Sequence, residues 1–319
     1  MSAGVAPVTV KGTGLKQGSR RMFDRIIIAV DGSDEAKHAA RRGIDLAKVV
    51  DASVDVLHVV PRKSLRLTQT ADEQSRVRDR GEDVLSKIEE FASDRDYPIT
   101  TTLSEGKPAA RISEYAADQD ADLIAIGRQG MTGLGKRLLG GVTEQVLHQS
   151  DVPVFVIPDG DRVSGEVTEY DRILIPTDGS ENAEEVTQYG AAIAQPYDSD
   201  VHVLNVVDLQ AAGGAFNAGG VEKEFIERLD TQGQEAVDRV VMEIEDAAPD
   251  LDMVTAVEQT KSFDGAAAGV REYVENNDID LVVMGSHGRS NLRRQLLGSV
   301  ASTVLRTVDV PVLIAKRSA

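Results

Sequence analysis

The chain has no cysteine and no tryptophan among its 319 residues. The first absence excludes disulfides, thiolate nucleophiles, iron–sulfur clusters and cysteine-type zinc sites. Aromatic residues make up only 4%, so any core must be built from Val, Ile, Leu and Ala. No apolar run approaches the ~18 residues needed to cross a bilayer, which predicts no membrane span. Positive charge is scarce: 35 Lys and Arg face 53 Asp and Glu, for a net charge of −18. Phosphate-backbone binding needs clustered cations, so nucleic acid is not an expected partner. The acidity fits either a salt-adapted surface, with Arg outnumbering Lys 24 to 11, or an ordinary acidic cytosolic protein. Residues 1–22 are Gly-rich and basic, without the apolar stretch of a signal peptide, and are expected to form a disordered tail.

An internal repeat organises the rest. "FDRIIIAVDGSDEA" from Phe23 matches "YDRILIPTDGSENA" from Tyr170 at an offset of 147 residues. "DADLIAIGRQG" from Asp120 matches "DIDLVVMGSHG" from Asp278, and "VLHQSDVPVFVI" from Val146 matches "VLRTVDVPVLIA" from Val304, both at 158. The offsets differ by 11, the length of the loop-like segment Gln210–Gly220, which is the expected insertion. The division is therefore 23–158 for one copy, 159–170 for a polar linker and 171–317 for the other.

Each copy alternates short β-branched runs with longer helical patterns. In the second copy the strands are expected near Arg172–Pro176, Val201–Val206, Met253–Val257, Leu281–Met284 and Val312–Ala315. "ENAEEVTQYGAAIAQ" and "GAAAGVREYVENN" carry helical spacing. Near-continuous apolar strands suit burial on both faces. The βαβαβαβαβ order then predicts an α/β fold: two tandem doubly wound domains, each an open five-stranded parallel sheet with helices on both faces. Such sheets bind ligands beyond the C-terminal ends of their strands.

At that edge, "MGSHGRSNLRRQLLGSV" places Gly285, Gly288 and Gly298 around a basic segment, with Ser299 opening or capping a helix. Glycines and a helix N-terminus together present backbone N–H groups to an anion. Arg289, Arg293 or Arg294 can add charge, although an arginine there is also an ordinary solvated residue. Asp178 and its twin Asp31 end the first strand of each copy in "DGS". That setting fits an Asx-turn or helix cap, or a contact to ribose or a metal. Strand two ends at Val206, where main-chain groups can meet a purine edge. The five histidines show no metal-binding spacing; His58 and His202 sit on strand patterns, where a structural role is the default, and His287 lies in the glycine loop. P-loop, zincin and nucleophile-elbow motifs are absent, and no nucleophile–base pair can be assembled.

These residues resemble a tandem universal stress protein, over nearly all of residues 23–317. ATP-binding members of that family carry G-x2-G-x9-G-[ST], matched by Gly285, Gly288, Gly298 and Ser299. The resemblance implies that Asp178 and the Val206 main chain hold adenosine, while Met284, Gly285, Gly288, Arg289, Gly298, Ser299 and Val300 wrap the triphosphate, with Mg2+ or Mn2+. In the first copy Asp31, Val59, Gly127, Gly130 and Gly140 keep the pattern, but Gly141 replaces the Ser or Thr, with Thr143 the nearest hydroxyl to compensate. The family implies a cytoplasmic, nucleotide-dependent stress-response regulator, with slow ATP hydrolysis or a nucleotide-free dimerisation scaffold as alternatives. It also implies pairing of the two copies through their terminal strands, and assembly into homo-oligomers.

Overall fold

The computed structural model describes residues 21–61, 71–131, 138–160, 169–213, 223–288 and 297–316. In the first copy β1 (Arg25–Val30), α1 (Asp34–Val50), β2 (Ser53–Pro61), α2 (Ala71–Ser93), β3 (Ile99–Gly106), α3 (Pro108–Asp118), β4 (Leu123–Gly127), α4 (Gly141–Gln149) and β5 (Val154–Ile157) follow one another. The second copy begins with β6 (Arg172–Pro176), α5 (Glu181–Glu185), α6 (Thr187–Tyr197), β7 (Asp200–Asp208) and α7 (Leu209–Gly213). It continues with α8 (Lys223–Ala247), β8 (Met253–Thr260), α9 (Ala266–Asn276), β9 (Leu281–Gly285), α10 (Ser299–Thr307) and β10 (Val312–Ala315).

Each copy contributes five contiguous parallel strands, in the order β3-β2-β1-β4-β5 and its mirror β10-β9-β6-β7-β8. The expectation of two separate sheets needs amending. β5 and β10 pair antiparallel, Val156 opposite Val312 and Val154 opposite Ile314, and join the halves into one mixed ten-stranded sheet. The terminal-strand pairing implied by the family resemblance therefore occurs within the chain. Pairing removes two apolar strand edges, each four residues long, that would otherwise template aggregation.

The inner strands are buried on both faces because helices cover both, whereas the edge strands β3 and β8 are only partly covered. On one side Ile26, Ile28, Phe155, Tyr170, Ile173 and Ile175 share a core that runs through both copies. Ile27, Ile124, Val156, Leu174, Val282 and Val312 share the other. Phe155 and Tyr170, both fully buried, meet edge to face at 6.4 Å across the boundary between copies.

Local chemistry sets the element ends. Ser33 caps α1, its side chain accepting from the Ala36 N–H, and Ser180 caps α5 through Ala183 N–H. The segment read as one helix from Glu181 is instead two helices broken at Val186. There Thr187 Oγ1 donates back to the Ala183 carbonyl at 3.3 Å, a bond that bends helices. Strand two of the second copy runs past Val206 to Asp208, whose carboxylate accepts from the N–H groups of Gln210 and Ala211. That cap turns Leu209–Gly213 into a short helix where a loop is expected; the remainder of the insertion lies outside the described residues, as do the first 20 residues and linker residues 161–168.

Candidate functional site

Beyond the C-terminal ends of β6, β7 and β9 lies a cleft with a cavity volume of ≈ 220 Å3. It gathers Asp178, Val206, Met284, Gly285, Gly288, Gly298, Ser299 and Val300. Arg289, Arg293 and Arg294 lie outside the described residues.

Three features build the floor. Gly285 ends β9, and a Cβ there would come within 2.2 Å of Asn182 Nδ2. The lack of a side chain lets Asn182 donate to the His287 carbonyl at 2.8 Å and hold the loop from below. Gly288 lies against Asp178, whose Oδ2 would be 2.3 Å from an added Cβ. The Asp178 Oδ1 accepts from the Ser180 N–H at 3.0 Å, an Asx-turn; the helix-cap alternative for this aspartate falls to Ser180. The loop then closes where Gly298 N–H donates to the Ser286 carbonyl at 2.8 Å.

Ser299 is the first residue of α10 and is exposed, but it is not the cap. Gly298 holds that position in extended backbone (φ −61, ψ 152), with no side-chain cap bond. The Ser299 hydroxyl thus sits beside first-turn N–H groups that have no intrahelical acceptor. This is a suitable pair of donors for an anion.

The apolar wall comes from α9, which sequence reasoning missed. Gly269 lets this helix approach so closely that a Cβ would meet Val206 Cγ1 at 2.5 Å. Ala266 and Val270 therefore line the cleft beside Val206, with Leu204, Pro176 and Ala301. Gly269 within "GAAAGV" was the available signal. Leu204 accepts from the Thr177 N–H at 2.8 Å. By the two-residue alternation of a strand, the Val206 main-chain groups face the same edge, past the end of β6.

His287 lines the cleft as well. Its Nδ1 lies 2.9 Å from Ser286 Oγ, while Nε2 is buried with no hydrogen-bond partner among the described residues. Burial, helped by Lys316 and His148, holds its pKa below the usual histidine range. His58 and His202 are structural. His58 Nδ1 meets the Val30 carbonyl at 2.9 Å, and Asn205 at the matching position donates to Thr177 O at 2.8 Å. His202 Nδ1 is 3.0 Å from Tyr273 Oη. Among the described residues, no group of three or more His, Asp or Glu side chains is placed to hold a metal ion.

The described ends of the first copy's loop follow the same scheme with different chemistry. Asp31 Oδ1 accepts from Ser33 N–H and Oγ, and Oδ2 from the Met131 N–H at 3.0 Å. Gly130 packs on that carboxylate as Gly288 does on Asp178. Gly127 ends β4, Gly140 closes the loop by donating to the Arg128 carbonyl, and Val59 is buried on β2. Gly141 opens α4 without a hydroxyl. Thr143 does not compensate: it is buried, and its Oγ1 donates to the Gly127 carbonyl at 2.8 Å.

Comparison with known proteins identifies the same architecture. The model of the Universal stress protein family matches residues 22–158 and again 169–316. A universal stress protein of Methanocaldococcus jannaschii, MJ0531, is 34% identical over 145 residues, 44% of this chain and 85% of its own. Rv2005c, a universal stress protein of Mycobacterium tuberculosis, is 26% identical over 315 residues, 92% of this chain and 97% of its own. The crystal structure of a universal stress protein from Archaeoglobus fulgidus superposes with a TM-score of 0.68 at 22% identity, covering 92% of this chain and 99% of that one. That likeness is one of fold.

Proposed function

Because the chain belongs to the universal stress protein family, we propose that its second copy binds ATP and that binding serves a regulatory role in the stress response. The observation that carries this reading is the convergence of Asp178, Val206, Gly285, Gly288, Gly298 and Ser299, distant in sequence, on one cleft at the strand C-terminal edge. The apolar wall of Val206, Ala266 and Val270 suits a nucleobase. The glycine loop, the α10 N-terminus and the Ser299 hydroxyl suit phosphate oxygens. Met284 and Val300 flank the two ends of that loop, and Arg289 within it would add charge.

Mg2+ or Mn2+ would arrive with the nucleotide. Such ions are commonly held by one or two carboxylates together with substrate phosphates, and Asp178 is the carboxylate lining the cleft. Binding is favoured over turnover. Among the described residues, the ionisable side chains lining the cleft are Asp178 and His287, and both are engaged in hydrogen bonds within their own loops. A bound nucleotide would act by biasing the loop and its contacts. In the first copy, Asp31, Val59, Gly127, Gly130, Gly140 and Gly141 form a weaker or empty counterpart.

A cytoplasmic location accords with this role. β5 and β10 use each other's edges, so assembly of whole chains into homo-oligomers would proceed through another surface. The test of nucleotide binding is direct: denature the purified protein and identify released small molecules by chromatography. ATP or ADP near one per chain supports the reading. Protein that releases none, and takes none up when ATP is supplied, overturns it.

A further inference from the structure

Arg128 belongs to the glycine loop of the first copy but ends on the second. Its backbone is part of the loop: the N–H donates to the Ile157 carbonyl at 2.7 Å, and the carbonyl accepts from Gly140 N–H at 2.9 Å. Its side chain, only 4% exposed, donates through NH1 to the carbonyl of Val308 at 2.8 Å, 180 residues away. Asp309 lies 4.0 Å from NH2. Val308 is the C-cap of α10. A buried cation thus seats the C-terminal end of the helix whose N-terminal residues Ser299 and Val300 line the candidate nucleotide cleft.

The relationship is reciprocal in outline and asymmetric in detail. Lys316, following β10, donates to the His148 carbonyl in the last turn of α4 at 3.0 Å. Each copy therefore places a cation at the C-terminal end of the other copy's last helix, where it opposes the partial negative charge. At the position matching Arg128 the second copy has Ser286, whose hydroxyl turns to His287 within its own loop.

We propose that Arg128 is a positioning residue for the second copy's phosphate site. It fixes α10 at its C-terminal end and thereby sets where the helix N-terminus, about 13 Å away along the axis, meets the phosphates. The first copy then contributes to nucleotide binding without holding nucleotide itself. The inference rests on the reading of the second-copy cleft as an ATP site.

Calorimetry with ATP and, separately, adenosine on wild type, Arg128→Ser and Arg128→Gln separates positioning from general loosening. Only ATP reaches the α10 N-terminus. Arg128→Ser should weaken ATP measurably, by at most about 30-fold, the ceiling set by a helix-terminal charge, and leave adenosine unchanged. Amide exchange in the last turn of α10 should quicken in the same variant. Arg128→Gln keeps a donor without the charge and should fall between the two; it is read alone if the serine variant does not fold. An unchanged ATP-to-adenosine ratio in the folded variants, or equal losses for both ligands, overturns the proposal while leaving the ATP site standing. Wild type that binds neither ligand overturns both readings.

Discussion

The Thr143 hydroxyl donates to the Gly127 carbonyl at 2.8 Å, a bond that Ala301, its counterpart in the second copy, has no hydroxyl to make. With Gly141 in place of a serine, α4 opens without a hydroxyl, and Thr143 gives its own to the loop. Gly141→Ser combined with Thr143→Ala should therefore raise ATP stoichiometry from one toward two per chain in calorimetry. Thr143→Ala alone should lower stability by about 1 kcal/mol without adding a site.

Gly288 is predicted to tolerate no side chain. A Cβ there would stand 2.3 Å from Asp178 Oδ2, so alanine must displace the carboxylate or the loop. Overpacking of this kind costs about 1–3 kcal/mol. Gly288→Ala should lower the thermal midpoint and abolish nucleotide uptake, while Gly130→Ala should lower the midpoint and leave uptake intact. Both are checked by thermal melts and equilibrium dialysis.

Acid should remove the stabilising contribution of the buried His202. Burial lowers the pKa of His202 below its ordinary 6.5, so the unfolded chain takes up the proton first. The contribution is intact above about pH 6.5 and is lost as pH falls through the lower folded value. His287 shares this direction. Between pH 7.5 and 5 the urea midpoint of wild type should lose ground relative to that of His202→Asn, a comparison in which the change in overall surface charge cancels. A difference between the two that stays constant over this range would contradict the assignment.

The charge of −18 predicts a response to salt. Exposed pairs such as Lys37–Asp34 and Lys87–Asp83 contribute little, whereas self-repulsion acts over the whole surface. Screening by molar KCl should therefore raise denaturation midpoints. Flat or falling midpoints would reject a salt-adapted surface in favour of an ordinary acidic one.

Much of this was legible because local and global signals agree. The repeat and the buried apolar runs pointed to two five-stranded parallel sheets, while their pairing through the last strands into one sheet was implied by the family resemblance alone. Other features depend on atoms brought together only by folding. Val206 marks the mouth of strand two, yet the strand continues to Asp208 because that side chain caps α7. The α9 wall depends on a close approach permitted at Gly269, which a helical pattern does not reveal. Arg128 reads as one more loop arginine until its partner, Val308, is seen across the boundary between copies. Ser299 reads as a cap, but the extended backbone of Gly298 takes that position and leaves the hydroxyl at the cleft.

The second copy's glycine loop and the Ser299 hydroxyl should together form one ATP site per chain. A charge-assisted hydrogen bond is worth about 1.5–3 kcal/mol, equivalent to roughly a 10- to 100-fold change in affinity. Titrating ATP into wild type and Ser299→Ala by calorimetry is the most direct test. One tight site in wild type, weakened by that factor in the variant with its melting temperature unchanged, is the predicted result. No ATP binding by wild type, two equal sites, or an unaltered Ser299→Ala would contradict it.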